Sequence, residues 1–197
     1  MGNFSLKFDK FWETFIKYNG YVKVLEGLKN TLTIAVLGLI IGIVIGTLIA
    51  TARVIPQYKV LPRILNKICS FYVALFRGTP IVVQLLVFYY VLLPLMGSRM
   101  TGIQVAVMVF GLNSAAYISE IMRGGIMSVD SGQMEAGRAV GLSFGTTMLK
   151  IVIPQAVKNI LPTMGNELIA LIKDTSVVSF VGATDLYVAV SYTHLRA

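Results

Sequence analysis

A chain of 197 residues that is 56% hydrophobic and only 13% charged, with a mean hydropathy of +0.77, has too few polar groups to cover a globule. Soluble domains carry about 25% charged residues, so lipid must cover part of this surface. The formal net charge of +8 asks for an anionic partner. Nucleic acid would need the cations gathered on one face with aromatics between them, whereas a membrane protein collects them in cytoplasmic loops. Their distribution along the chain fits the second and speaks against a nucleic acid partner. One cysteine, Cys69, excludes an intramolecular disulfide framework, and Cys69 with His194 makes no metal cluster. Cys69 is read as packing.

Residues 1–29 are mixed in charge and amphipathic, without the apolar stretch of a cleavable signal. From Thr31 to Ala52 there are 22 residues with no formal charge, enough to cross a bilayer core, which takes about 20. Gly38, Gly42 and Gly46 recur every four residues and are expected on one helical face, where small residues let a second backbone approach. Arg53, Lys59, Arg63, Lys67 and Arg77 follow with no Asp or Glu among them. Such a bias predicts a cytoplasmic segment, and with it an N-terminus outside. Leu61 to Phe76 is apolar enough to begin the next helix, and Ile81 to Met96, apolar apart from Gln84, reads as its outer part. Gly97-Ser98-Arg99 is expected to be a tight external turn, and Thr101 to Ser119 a third helix.

The stretch Glu120 to Lys158 is charged and rich in glycine, and alternation of sides makes it cytoplasmic. After Pro154 the apolar pattern is broken by Lys158, Glu167, Lys173 and Asp174. Ile160 to Ile172 is therefore predicted to be a helix facing protein or a water-filled path rather than lipid, because an ionisable residue at such depth is functional by default. The tail Val190 to Ala197 resembles the translation of a transposase library adaptor. Residues 190–197 are expected to be a sequencing scar, so that the natural protein continues and His194 carries no function.

One stretch is specific. Glu135-Ala136-Gly137-Arg138-Ala139-Val140-Gly141, followed by Ile151-Val152-Ile153-Pro154, resembles the EAA loop of bacterial ABC importer permeases: EAA, three residues, G, nine residues, I-x-L-P. Glu135, Ala136, Gly141, Ile151 and Pro154 fall in register. Gly137 replaces the second alanine, at a helix-propensity cost of about 1 kcal/mol, and Ile153 replaces the leucine. Phe76-Arg77-Gly78-Thr79-Pro80, Ser114-Ala115-Ala116-Tyr117, Gly132-Gln133, Pro154-Gln155-Ala156 and Lys173-Asp174-Thr175-Ser176 are similar to the polar amino acid (histidine, glutamine, arginine) subgroup. The resemblance runs from about Leu28 to Val188. It implies an all-α polytopic membrane protein with the type I ABC importer transmembrane fold, a five-helix core whose last helix is largely missing from this chain. Residues 30–189 would form the transmembrane domain, with the coupling loop at about 120–158.

The resemblance further implies a location in the bacterial cytoplasmic membrane and a role as transport subunit rather than enzyme. Its partners would be an ATPase pair, a second permease subunit (the same chain or a related one) and an extracytoplasmic amino acid binding protein. Glu135, Ala136, Gly141, Ile151 and Pro154 would couple to the ATPase. No cofactor is expected in this chain, since it has no G-x-x-x-x-G-K-[ST] phosphate loop and ATP with magnesium would sit on the partner. The loop chemistry agrees: Gly141 tolerates the positive φ of a turn, and Pro154 presets the start of a helix. Gln84, Asn113 and Glu167 lie within apolar runs and are candidates for the translocation path or for bonds across helices. Glu120 and Arg123, three apart, are expected to pair on one helix face, and Arg77 and Thr79 to act in positioning. A stand-alone secondary transporter or channel is the alternative, but no paired inverted repeat is visible. An intramembrane enzyme would need a catalytic dyad or metal ligands that the chain lacks.

Overall fold

The computed structural model describes residues 8–9, 12–17, 19–56 and 58–195. Among them there is no strand. Eight α-helices carry the described fold: α1 Gly20–Val54, α2 Val60–Gly78, α3 Ile81–Leu95, α4 Gly102–Met127, α5 Ser131–Ala139, α6 Phe144–Thr147, α7 Ile153–Asp174 and α8 Leu186–Leu195. The amphipathic segment 1–29 and the tail 190–197 lie partly outside the described residues, as does the side chain of His194. By length and apolarity α1 and α4 can each cross a membrane, and α2 with α3 makes a third span if the pair counts as one.

Helix boundaries differ from expectation where charge was taken as a stop. α1 begins at Gly20, not Thr31, because Lys23, Glu26 and Lys29 are good helix formers and their turns continue the same cylinder. α4 continues past Ser119 to Met127, since Glu120 and Arg123 pair within the helix. The second span is broken rather than continuous: Pro80 holds Thr79 extended, at φ −119° and ψ 142°, and that ends α2. Gly97 does turn the chain, at φ +66°, with its N–H bonded to the Pro94 carbonyl.

Pro154 does not begin its helix. Helical turns start ten residues earlier at Phe144 and pass through a π turn, Met148–Val152, before α7. A proline cannot donate to the carbonyl four residues back and its ring crowds that carbonyl, and one wide turn just before it relieves both. A second π turn, Phe88–Leu92, precedes Pro94 in the same way.

The contacts divide the chain into two compact units. In the first, residues 1–38, 81–110 and 171–197, the early turns of α1 meet the segment before α8. Asn30 donates to the Thr184 carbonyl at 2.8 Å, and Thr31 Oγ1 accepts from the Leu186 N–H at 3.1 Å. Asp185, fully buried, caps α8 by accepting from the N–H groups of Tyr187 and Val188. The second unit, residues 39–80 and 111–170, joins the later turns of α1 to α2, α4 and α7.

Along α1 the residues Thr31, Ile34, Ala35, Gly38, Gly42, Gly46 and Ala50 are all buried, while Leu32, Val36, Ile40, Val44 and Leu48 on the other side are exposed. A β-carbon on Gly42 would meet Ser114 Oγ at 2.7 Å, and one on Gly46 would meet the Ala115 carbonyl at 3.0 Å. Gly42 and Gly46 thus lie where α4 packs, and the large apolar side chains point away from it.

Candidate coupling and translocation site

The loop after α4 is a helix–turn–helix, capped at both ends of α5 and at the start of α6. Asp130 caps α5, accepting from the Gly132 N–H at 2.7 Å. At the far end Gly141 takes φ +87°, its N–H bonds the Arg138 carbonyl at 3.0 Å, and the Leu142 N–H bonds the Gly137 carbonyl at 3.1 Å. That pair of bonds is a Schellman stop, which needs the left-handed residue where the glycine sits. Ser143 at once caps α6, accepting from the Thr146 N–H at 3.2 Å. Gly137 packs so closely on Thr147 that a β-carbon there would collide with the Thr147 methyl.

Of the residues expected to couple, Glu135, Ala136, Gly141 and Pro154 are exposed and Ile151 is half-buried. Val140 and Leu149, at 77% and 67% exposure, add apolar surface to the same element. Behind it, α7 is tied to the end of α4 and to α5 by polar pairs. Asn159 donates to Ser128 Oγ at 2.8 Å, and Gln155 donates to Gln133 Oε1 at 3.2 Å. Ile160 fills the space left by Gly125.

Further along the same two helices, Ser114 of α4 donates to Glu167 of α7 at 2.9 Å. Asn113 is buried and donates to the Phe76 carbonyl at 3.3 Å. Gln84 is buried within the first unit. The structure thus joins Glu167 to the face of α4 next to Asn113 and accounts for that asparagine as a helix-to-helix bond.

The sequence reading missed a charge hub. Glu120 pairs with Arg123 at 3.0 Å, as its spacing predicts, but also with Arg53 from the end of α1 and, at 3.7 Å, with Arg77 from the end of α2. Arg77 also lies over the Tyr117 ring, 5.1 Å from its centroid. The Glu120 side chain is only 19% exposed, so one anion draws three cations from three helix ends into partly desolvated space. A signal was present: Glu120 is the first acidic residue after Glu26, so any cation between them that pairs with an acidic residue later in the chain meets it first.

Apolar helices long enough to span a membrane, with a buried small-residue seam and an exposed helix–turn–helix, define a multi-pass membrane protein. The family described as "binding-protein-dependent transport system inner membrane component" matches residues 38–193, and the chain belongs to it. It is 41% identical over 163 residues to the arginine transport system permease protein ArtQ of Bacillus subtilis, covering 83% of this chain and 72% of that protein. To the glutamine transport system permease protein GlnP of Escherichia coli K12 it is 40% identical over 164 residues, covering 83% and 73%. Among solved structures it is similar to an amino acid ABC transporter crystallised with histidines: TM-score 0.79, 36% identity, 88% of this chain and 77% of that one. The methionine ABC transporter MetNI shares the fold at TM-score 0.68 and 21% identity, over 83% of this chain and 76% of that one. The fold is accordingly the type I ABC importer transmembrane domain, and the chain is an ABC permease.

Proposed function

We propose that this permease is the membrane-spanning subunit of an ATP-driven importer of polar amino acids. It rests on the permeases for arginine and glutamine that it resembles at about two residues in five. Residues 30–189 form the transmembrane domain, with the N-terminus outside. A separate binding protein delivers the solute, two permease subunits enclose the path, and ATP with magnesium is held by a separate ATPase pair. Gln84, Asn113 and Glu167 belong to the path or brace its wall. Within 120–158, the exposed face of Glu135, Ala136 and Gly141, with Ile151 and Pro154 behind it, docks on the ATPase.

The observation that carries the coupling role is the double stop at 141–143. A Schellman turn and a serine cap back to back fix the angle between α5 and the helix that follows, with most of the docking residues exposed. A rigid knob transmits displacement, and a flexible connector would absorb it. The test is uptake of labelled arginine and glutamine into proteoliposomes holding the permease with its ATPase. Uptake should need ATP and survive collapse of ion gradients. Gly141→Val should lower it at least tenfold and reduce the ATPase that co-purifies, since a β-branched residue resists positive φ. Uptake that follows an ion gradient without ATP would overturn the reading.

A further inference from the structure

Helix α2 is poorly suited to water and to a plain apolar environment alike. One side carries Val60, Leu61, Ile64, Leu65, Ile68, Phe71 and Leu75, all exposed, at 70%, 66%, 49%, 43%, 60%, 71% and 49%. Successive residues of a helix are 100° apart, so these seven fall in one continuous arc, Lys59, Arg63, Asn66 and Ser70 fall in the arc opposite, and Lys67 borders the apolar arc. Lys59, Arg63 and Lys67 follow one another at intervals of four, which stacks like charges and is unfavourable on an isolated helix. Lys59 at the N-cap and Arg63 in the first turn also sit at the positive end of the helix dipole, where cations are again disfavoured. The first turn holds no acidic residue, and Lys59 at the N-cap makes no side-chain cap bond. No aspartate or glutamate occurs anywhere between Glu26 and Glu120.

Ordinary gathering of cations on one side of a membrane would be met by lysines in loops. Here the cations sit on a helix, at a spacing that penalises them and with two of them at the penalised end, opposite or flanking a bare apolar face. Each penalty becomes a gain against an anionic surface. We propose that the first half of α2 is an interfacial helix, with Ile64 and its neighbours among the acyl chains. Lys59, Arg63 and Lys67 bind the phosphates of anionic phospholipid headgroups. Basic side chains opposite an apolar face are the usual construction of a helix lying in a bilayer surface. The proposal requires only that the chain is embedded in a bilayer and is independent of what it transports.

The experiment places a tryptophan in the apolar face, Ile64→Trp, in a Trp12→Phe background, with Val83→Trp as a control on α3. The full chain is reconstituted in bilayers containing brominated phosphatidylglycerol or brominated phosphatidylcholine, and quenching gives relative lipid affinity. Phosphatidylglycerol should be preferred at Ile64→Trp by about fivefold or more, as each cation near an anionic surface contributes about fivefold. Val83→Trp should show no preference. Arg63→Gln with Lys67→Gln should bring the ratio towards one, Arg63→Lys with Lys67→Arg should keep it, and 0.5 M salt should weaken it. A ratio near one in the chain with its cations intact would overturn the proposal. So would a ratio that the glutamine pair leaves unchanged, or an Ile64→Trp signal that neither lipid quenches, which would mean that protein covers this face. Uptake is not read, so loss of the importer reading leaves this result standing.

Discussion

Gly137 and Thr147 share one space: the Thr147 methyl lies where a β-carbon on Gly137 would be, and both residues are buried. The permease motif has alanine at that position. Alanine should improve the intrinsic stability of α5 by about 1 kcal/mol. Here we expect Gly137→Ala to lower stability instead, because the collision falls on a short β-branched side chain that has little freedom to move. Thr147→Ser removes the methyl and keeps the hydroxyl bonded to the Ser143 carbonyl. Combined with Gly137→Ala it should recover part of the stability, since the hydroxyl still lies 2.9 Å from the new β-carbon. Thermal unfolding in detergent of the two single variants and the pair decides the matter, and simple additivity would rule out the shared space.

Gly42 makes the same argument within the membrane. Its backbone approaches Ser114 and Ile118 so closely that a β-carbon would meet Ser114 Oγ at 2.7 Å. Gly42→Leu should separate α1 from α4 and sharply lower the yield of folded permease, overpacking costing about 1–3 kcal/mol or more. Val44→Ala, on the exposed side of the same helix, should be close to neutral. Equal recovery of folded protein from both would show that this seam is unimportant.

Glu120 holds Arg53, Arg77 and Arg123. Glu120→Gln leaves three guanidinium groups facing a neutral amide in partly buried space. Removing one partner of a buried pair costs about 3–5 kcal/mol, and partial exposure here reduces that to about 2 kcal/mol. Arg123→Gln should cost less, since Glu120 keeps Arg53. Unfolding midpoints of the two variants in detergent test the order, and a reversed order would mean that Arg123 is the main support.

How much of this was legible follows from what each residue answers to. The α5 turn could be read because Gly141 answers to a local rule, positive φ at a helix stop. The glycine spacing on α1 pointed to a face for the same reason. Helix ends were misplaced at Gly20 and Met127, where charge was treated as a boundary although charged residues are good helix formers. The Glu120 hub was half seen. Its i,i+3 pair is local, but Arg53 lies 67 residues away, and only the fold brings it near. The start of the helix before Pro154 was hidden because a π turn has no sequence signature of its own.

Topology is open to direct measurement. The Lys/Arg bias alone assigns residues 53–77 and 120–158 to the cytoplasmic side as an expectation; the structure adds that Ser98 and Ser131 are both exposed and can be labelled. In a Cys69→Ser background, Ser98→Cys should react with an impermeant thiol reagent in intact cells, and Ser131→Cys only after the membrane is opened. Labelling of Ser131→Cys from outside would reverse the orientation.

On the proposed coupling role, displacement of the helix–turn–helix would have to reach the path, and α7 is the helix tied to both. At its lower end Gln155 and Asn159 hold Gln133 of α5 and Ser128 at the end of α4. At its upper end Glu167 accepts from Ser114. The α6 turns and the π turn run into it without a break, so α7 follows the helix–turn–helix rather than a hinge. Gln155→Ala with Asn159→Ala removes both lower ties while leaving the exposed docking face and the Ser143 cap intact. The two bonds are exposed, so their loss should cost little stability, about 1 kcal/mol. ATPase should still co-purify and hydrolyse ATP, yet amino acid uptake per ATP should fall severalfold. Gln155→Glu with Gln133→Lys, which replaces the amide pair by an ion pair at the same place, should recover most of it. An unchanged uptake ratio in the double alanine variant would show that the knob reaches the path through α4 alone.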